Sequence, residues 1–359
     1  EMLSEFGFDE YAMWAWRWHG KKYSRYYEPG LWTDGKFSTG TPEEYGPDKY
    51  SARMLEFIDK KKDTPFFIYY SMFGMQRIGD LVWLAGDMRV KGFMIGGTAG
   101  RTTLNGEGLQ HEDGQSHLLA YPVPNLEAYD PAFGYEIAVI IREGIRRMYV
   151  EQEDIFYYMT VENDPYRMPE MPDGVEEGIL KGMYKFKAST KKRAKLKANL
   201  FGSGAIMNGA LEAQKILEED YKVSADVWSI TSYKALHRDC LDAERWNRMH
   251  PGDKTRLSYL EQCLEKESGV YVMASDYVKA LPESIARWFP NPPVALGTDG
   301  FGRSESREAL RDHFEVDARF IVLGALGALA REGEIDVAVV TKAMKDLKID
   351  PEKANPAYL

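Results

Sequence analysis

A chain of 359 residues with 44% hydrophobic content is long enough for two or three domains with ordinary cores. Its formal net charge of −10 argues against a nucleic-acid partner, no apolar run reaches the ~20 residues of a membrane helix, and two cysteines, Cys240 and Cys263, build no disulfide framework. The expectation is an intracellular protein; no secretory pattern opens the chain, which begins on Glu1 rather than Met and so reads as a fragment.

Residues 1–62 are rich in Trp, Tyr and charge, with Trp14, Trp16, Trp18 and Trp32 in the first half and helical spacing of Met54, Leu55 and Ile58 over residues 50–62. Residues 66–70 are apolar throughout, which predicts a buried central strand. A helix is predicted over 76–87, with Ile78, Leu81, Val82 and Ala85 on one face, then a strand over 91–95 stopped by Gly96-Gly97. An irregular segment runs to about residue 130. Pro131 opens a helix reaching about residue 149, since proline is tolerated in a first turn. A strand over 155–161 and a short helix over 174–182 follow.

Residues 185–197 hold six lysines and one arginine, read as a solvated basic linker, with an anionic partner site as the other reading. Beyond it come a strand near 197–201, the turn Gly202-Ser203-Gly204, a helix over 205–220 and a strand over 225–230. Further strands are predicted over 270–274 and 294–296, and helices over 306–313, 318–331 and 336–347. Strands alternating with helices imply layered α/β domains.

Three glycine-bearing stretches are candidates for chemistry. Gly202-Ser203-Gly204 leaves a strand and opens a helix, as phosphate-binding turns do, but ordinary strand exits look the same. Thr298-Asp299-Gly300 offers an Asp to a metal, or is simply a turn. The stretch 105–117 is richer: Gly106, Gly108 and Gly114 free the backbone to approach a ligand, and Glu107, His111, Glu112, Asp113 and His117 gather acid and base groups. No cysteine is near and the histidines lack HExxH spacing, which argues against zinc. It reads as an active-site loop in which a histidine can stabilise an oxyanion or shuttle a proton, the plain alternative being a charged surface loop. Tyr69, Tyr70 and Phe73 suit either a core or the wall of a flat cofactor ring.

The motifs FFIYYSMFGMQRIGDLVWLAGD, GGTAGRTTLNGEGLQHEDGQSH, YDPAFGYEIAVI, MPEMPDGVEEGILKGMYK, ERWNRMHP and LGTDGFGRSESREALRDHFEVDARFIV stand in one order from residue 65 to the end. Over this span the chain resembles the homodimeric, bacterial-type pyruvate dehydrogenase E1 family. The resemblance implies an α/β fold made of a thiamine diphosphate-binding, transketolase-like pyrimidine domain and a transketolase C-terminal-like domain. It assigns residues 65–185 to part of the first and 197–359 to the second, with 186–196 as the basic linker. It implies thiamine diphosphate and Mg²⁺ as cofactors, pyruvate as substrate, lipoyl groups of the dihydrolipoyl acetyltransferase (E2) as acceptor, a homodimer, and a cytoplasmic location. Tyr70 and Phe73 would line the aminopyrimidine pocket, His111 would face pyruvate and the intermediate, and Arg77 and Glu107 would support those contacts from behind. Neither glycine turn is the phosphate site of that family.

The family's diphosphate- and metal-binding domain, with its GDG motif, has no counterpart in these residues, nor has the glutamate that bonds the pyrimidine; Glu43 and Glu44 are not assigned that role. The 359 residues alone are therefore expected to be inactive. The alternatives are a non-catalytic dimerisation fragment and a sulfuric ester hydrolase fragment. The latter arises because EFGFDEYAMWAWRWHGKKYSRYYEPGLWTDGKF and EYGPDKYSARMLEFIDKKKDTPFFIYYSM resemble an internal segment of the arylsulfatase family, although its Cys-x-Pro-x-Arg nucleophile motif is absent. That resemblance implies that residues 1–64 are a sulfatase-like fragment, joined as a chimera within residues 66–72.

Overall fold

The computed structural model describes residues 8–15, 17–61, 75, 78–97, 99–104, 106, 109, 111–191 and 193–359. The predicted strand over 66–70 lies outside them. The chain divides into two units, residues 1–72 and 73–359.

In the first unit, β1 (Ala12–Trp14), β4 (Gly30–Thr33) and β5 (Lys36–Thr39) form an antiparallel sheet, and β2 (Arg17–Trp18) and β3 (Lys21–Lys22) form a small ribbon. Asp34 and Gly35 both carry positive φ at the β4–β5 turn, the conformation that matches the twist of a tight hairpin. The early aromatics pack on each other: Trp18 meets Trp32 edge-on at 4.5 Å and stacks on Phe37 at 5.3 Å. Helix α1 (Gly46–Lys61) starts four residues before the predicted one, with Pro47 in its first turn. Arg53 ties it to Glu10 and Asp34 at 2.9 and 2.8 Å.

The second unit holds two sheets. Helix α2 (Gly79–Asp87) leads into β6 (Phe93–Gly96); α3 (Ser116–Ala120), β7 (Leu126–Tyr129), α4 (Gly134–Ile145) and β8 (Phe156–Thr160) follow, and the strands run parallel in the order β6-β8-β7. Helix α4 closes in a π-turn at Arg146–Val150, so the predicted end at 149 is real but not α-helical. Glu136 secures its start, accepting from Ala132 N–H, Phe133 N–H, Tyr184 OH and Ser229 OH. Strand β7 was not predicted: LEAY is too short and mixed to show a period, yet all four residues are buried.

After α5 (Glu176–Lys181) comes β9 (Met183–Lys187), then β10 (Lys197–Gly202), α6 (Met207–Asp220), β11 (Ser224–Ile230), α7 (Tyr233–Met249), α8 (Tyr259–Leu264), β12 (Val270–Ala274), α9 (Ala280–Glu283), β13 (Val294–Leu296), α10 (Arg307–His313), α11 (Ala318–Arg331) and α12 (Val337–Asp346). The second sheet runs β13-β12-β10-β11-β9, parallel except for β9 at its edge. Its inner strands are apolar and buried on both faces, with α6 and α11 on one side and α7 and α8 on the other. The basic run is therefore not an interdomain linker. Lys185 and Lys187 belong to β9, which pairs with β11, and residues 188–196 join two strands of one sheet. MYKFK hides this because an edge strand alternates apolar residues with solvated lysines.

Candidate functional site

The loop between β6 and α3 is held by groups from the second sheet. At Gly100 φ is +78°, and a Cβ there would lie 2.2 Å from Asp276 Oδ2. The Asp276 carboxylate, just past the carboxyl end of β12, accepts from Thr102 N–H at 2.9 Å and Thr103 OH at 2.6 Å. The Asp276 carbonyl takes Arg101 N–H at 3.2 Å. The Arg101 guanidinium donates to the carbonyls of Thr298 and Gly300 and to Gln115 Oε1. Further along, Gly106 N–H reaches Glu305 O, Glu112 accepts from Arg303 N–H at 2.6 Å, and Gly114 O accepts from Val278 N–H at 2.9 Å. Arg307 donates to Thr103 O, and Arg311 pairs with Asp164 at 2.9 Å while reaching Thr102. Residues 100–103 and 112–114 are thus held by buried polar partners.

At the end of the loop, Asp113 accepts from Gln115 N–H and Ser116 N–H, just before α3. His117 is buried in α3; its Nε2 lies 3.1 Å from Thr160 Oγ1, and its ring meets Tyr277 edge-on at 4.7 Å. Burial pushes its pKa down to about 4, against the pull of Asp113, so it is neutral near pH 7. Thr160 in turn donates to Asp130 Oδ1 at 2.6 Å. Burial raises the Asp130 carboxyl to about 6, and burial together with Asp130 raises Glu162 well above the usual range. Asp130 Oδ2 and Glu162 Oε1 are buried without a hydrogen-bond partner among the described residues.

His111 sits in a turn and is partly exposed, while Glu112, Asp113 and His117 beside it are buried. A partly open histidine on a pinned loop can meet a ligand without the loop having to order first. Tyr70, Phe73, Arg77 and Glu107 lie outside the described residues. His117, grouped with His111 by sequence, is a packed histidine whose ring is spent on Thr160 and Tyr277. The two glycine turns are structural. Glu162 already accepts from Ala205 N–H at 2.6 Å, so a carboxylate fills the helix N-terminus after Gly202-Ser203-Gly204. Asp299 accepts from Lys279 N–H at 2.9 Å and Thr298 OH donates to Asp276 O. Among the described residues no group of three or more His, Cys, Asp or Glu is placed to hold a metal ion.

Sequence reasoning missed Arg101, Asp130, Glu162, Asp276 and Arg311. The available signal was position: Asp130 comes directly after one parallel strand and Asp276 two residues after another, where sites in open α/β sheets form.

Residues 56–169 match the pyruvate dehydrogenase E1 component middle domain, and residues 182–317 match the transketolase-like C-terminal domain. Among solved structures, a transketolase from Campylobacter jejuni aligns over 70% of this chain and 34% of its own at 18% identity (TM-score 0.52), and a mutant transketolase from Pichia stipitis over 73% and 33% at 15% identity (TM-score 0.53). The second unit thus consists of transketolase-like middle and C-terminal domains. The chain resembles the C-terminal part of the bacterial pyruvate dehydrogenase E1 component. It is 57% identical over 293 residues to that protein from Pseudomonas aeruginosa (81% of this chain, 33% of the relative) and 53% over 309 residues to that from Escherichia coli K12 (86% and 34%). It spans about a third of the length of these relatives.

These comparisons bear on the reading of the first segment. The middle-domain match begins at residue 56, inside α1 and before the boundary set at 64, and nothing in them supports the arylsulfatase resemblance or a chimera joined within 66–72.

Proposed function

We propose that this chain is part of a pyruvate dehydrogenase E1 component, acting with thiamine diphosphate and Mg²⁺ to decarboxylate pyruvate and pass the two-carbon unit to lipoyl groups of E2, as a cytoplasmic homodimer. The observation that carries the reading is the polar loop around His111: groups from the second sheet hold its residues 100–106 and 112–114, and His111 in it is partly exposed. Thiamine diphosphate supplies the electron sink for decarboxylation. Tyr70 and Phe73 would wall its aminopyrimidine ring, with Arg77 and Glu107 behind them. His111 would hold or deliver a proton at the substrate oxygen.

The homodimer reading is supported by α2 and the turn after it, where Leu81, Trp83, Leu84 and Met88 are exposed on a short apolar helix. Calorimetric titration of the 359-residue chain with thiamine diphosphate and Mg²⁺ tests the assignment of cofactor binding. The chain alone should bind more weakly than about 1 μM and should not turn over pyruvate, because Tyr70 and Phe73, the residues expected to contact the cofactor, leave its diphosphate without charge compensation. Micromolar binding or turnover by the chain alone would contradict the reading.

A further inference from the structure

The connection from β9 to β10 is anchored at its root. The Glu218 carboxylate on α6 accepts from Ser189 OH, Thr190 N–H and Thr190 OH, and Lys191 N–H bonds Ser189 Oγ. A turn follows, with Ala194 N–H on Lys191 O at 2.8 Å. Lys185, at the start of the basic run, is neutralised by Asp226 and Glu267. The cations of the turn are not: among the described residues Lys191, Arg193 and Lys195 have no ion-pair partner.

These three, with Lys222, line one groove of about 780 Å³ whose remaining walls are Thr190, Ala194, Leu196 and Glu334. Lys222 follows α6 in a left-handed conformation, φ +59°, and its ammonium also reaches Glu219 O. Among the described residues, four cations thus line this concavity with one carboxylate, on a chain whose net charge is −10. Scattered surface lysines stay solvated. Here an anchored loop and the residue after α6 set exposed cations around one groove, where a bound anion would meet several of them at once. The volume is that of a small-molecule pocket, and Leu196, Ala194 and the lysine stems give it an apolar wall.

We propose that this groove binds a small molecule bearing two or more phosphates. The phosphates would sit among Lys191, Arg193, Lys195 and Lys222, with Arg193 able to engage one in a bidentate fork. None of these residues belongs to the His111 loop or to the positions assigned to thiamine diphosphate, so the proposal stands or fails apart from the function proposed above.

Titrate the full chain by calorimetry with inorganic pyrophosphate and, separately, with ATP, at low salt and without divalent cation. Both should bind below about 1 mM, weakening as salt is added. Lys191→Glu combined with Lys195→Glu should weaken both about tenfold or more. Arg248→Glu combined with Lys254→Glu, which reverses two exposed cations elsewhere, should change neither. Tighter binding of ATP than of pyrophosphate assigns the ligand a nucleotide body; equal affinities assign the site to the free diphosphate. No heat up to about 5 mM, equal losses in the two double variants, or binding of poly-glutamate without binding of pyrophosphate overturns the proposal.

Discussion

Gly100 and Asp276 touch across the two transketolase-like domains: a Cβ on residue 100 would come within 2.2 Å of the Asp276 carboxylate. The loop that carries His111 is therefore set by the second sheet as much as by the first, because Asp276 then receives Thr102 and Thr103. Gly100→Ala adds a clash to a left-handed backbone, and should lower stability by about 2–3 kcal/mol in urea unfolding. A change under about 0.5 kcal/mol would mean that the contact yields freely.

Asp276→Ala leaves two buried donors, Thr102 N–H and Thr103 OH, without their acceptor. The expected loss is about 2–5 kcal/mol, since each unmet buried donor costs about 1–3 kcal/mol. Hydrogen exchange should show the added opening concentrated in residues 99–117. Uniform loss across the chain would place the effect in global stability rather than in the loop.

The pair His117 and Asp130, joined through Thr160, gives opposed pH dependences. His117 is depressed to about 4, so its contribution is present above pH 6.5 and lost as pH falls toward 4. Asp130 is raised to about 6, so its contribution is present below about 3.8 and lost as pH rises through 6. Between pH 4 and 6 they offset. Against wild type, His117→Gln should make stability fall more with rising pH in that window, and Asp130→Asn should make it rise more. Urea midpoints at pH 4, 5 and 6 check this; shifts of the same sign in both variants would refute it.

Leu84→Glu places a charge on the exposed apolar face of α2. In a homodimer closed over that face, sedimentation should show a shift toward monomer with little change in thermal stability. An unchanged dimer would move the subunit contact elsewhere.

Much of the fold was legible because buried parallel strands and amphipathic helices write their periods plainly: residues 270–274 and 294–296 were read at their observed limits. Strands β7 and β9 were not legible. One owes its burial to tertiary packing rather than to pattern, and the other is an edge strand disguised as a basic run. In the loop, His111 stands out in the sequence as a histidine among glycines, and the structure leaves it partly exposed. His117, six residues on, has the same local chemistry. Only the approach of Thr160 and Tyr277, distant in sequence, makes it a packed residue. Asp276 and Arg101 were silent for the same reason, since their partners lie about 175–200 residues away.

The central claim is that His111 works at the substrate. The most direct measurement is steady-state pyruvate turnover by His111→Ala in an intact enzyme, made by joining residues 65–359 to a complete E1 N-terminal portion. Thiamine diphosphate affinity is measured in parallel. The account predicts kcat lower by about 10²–10³ with cofactor affinity changed less than about threefold, the cost of losing one aimed proton donor. Near-normal turnover, or a loss traced wholly to weaker cofactor binding, would contradict it.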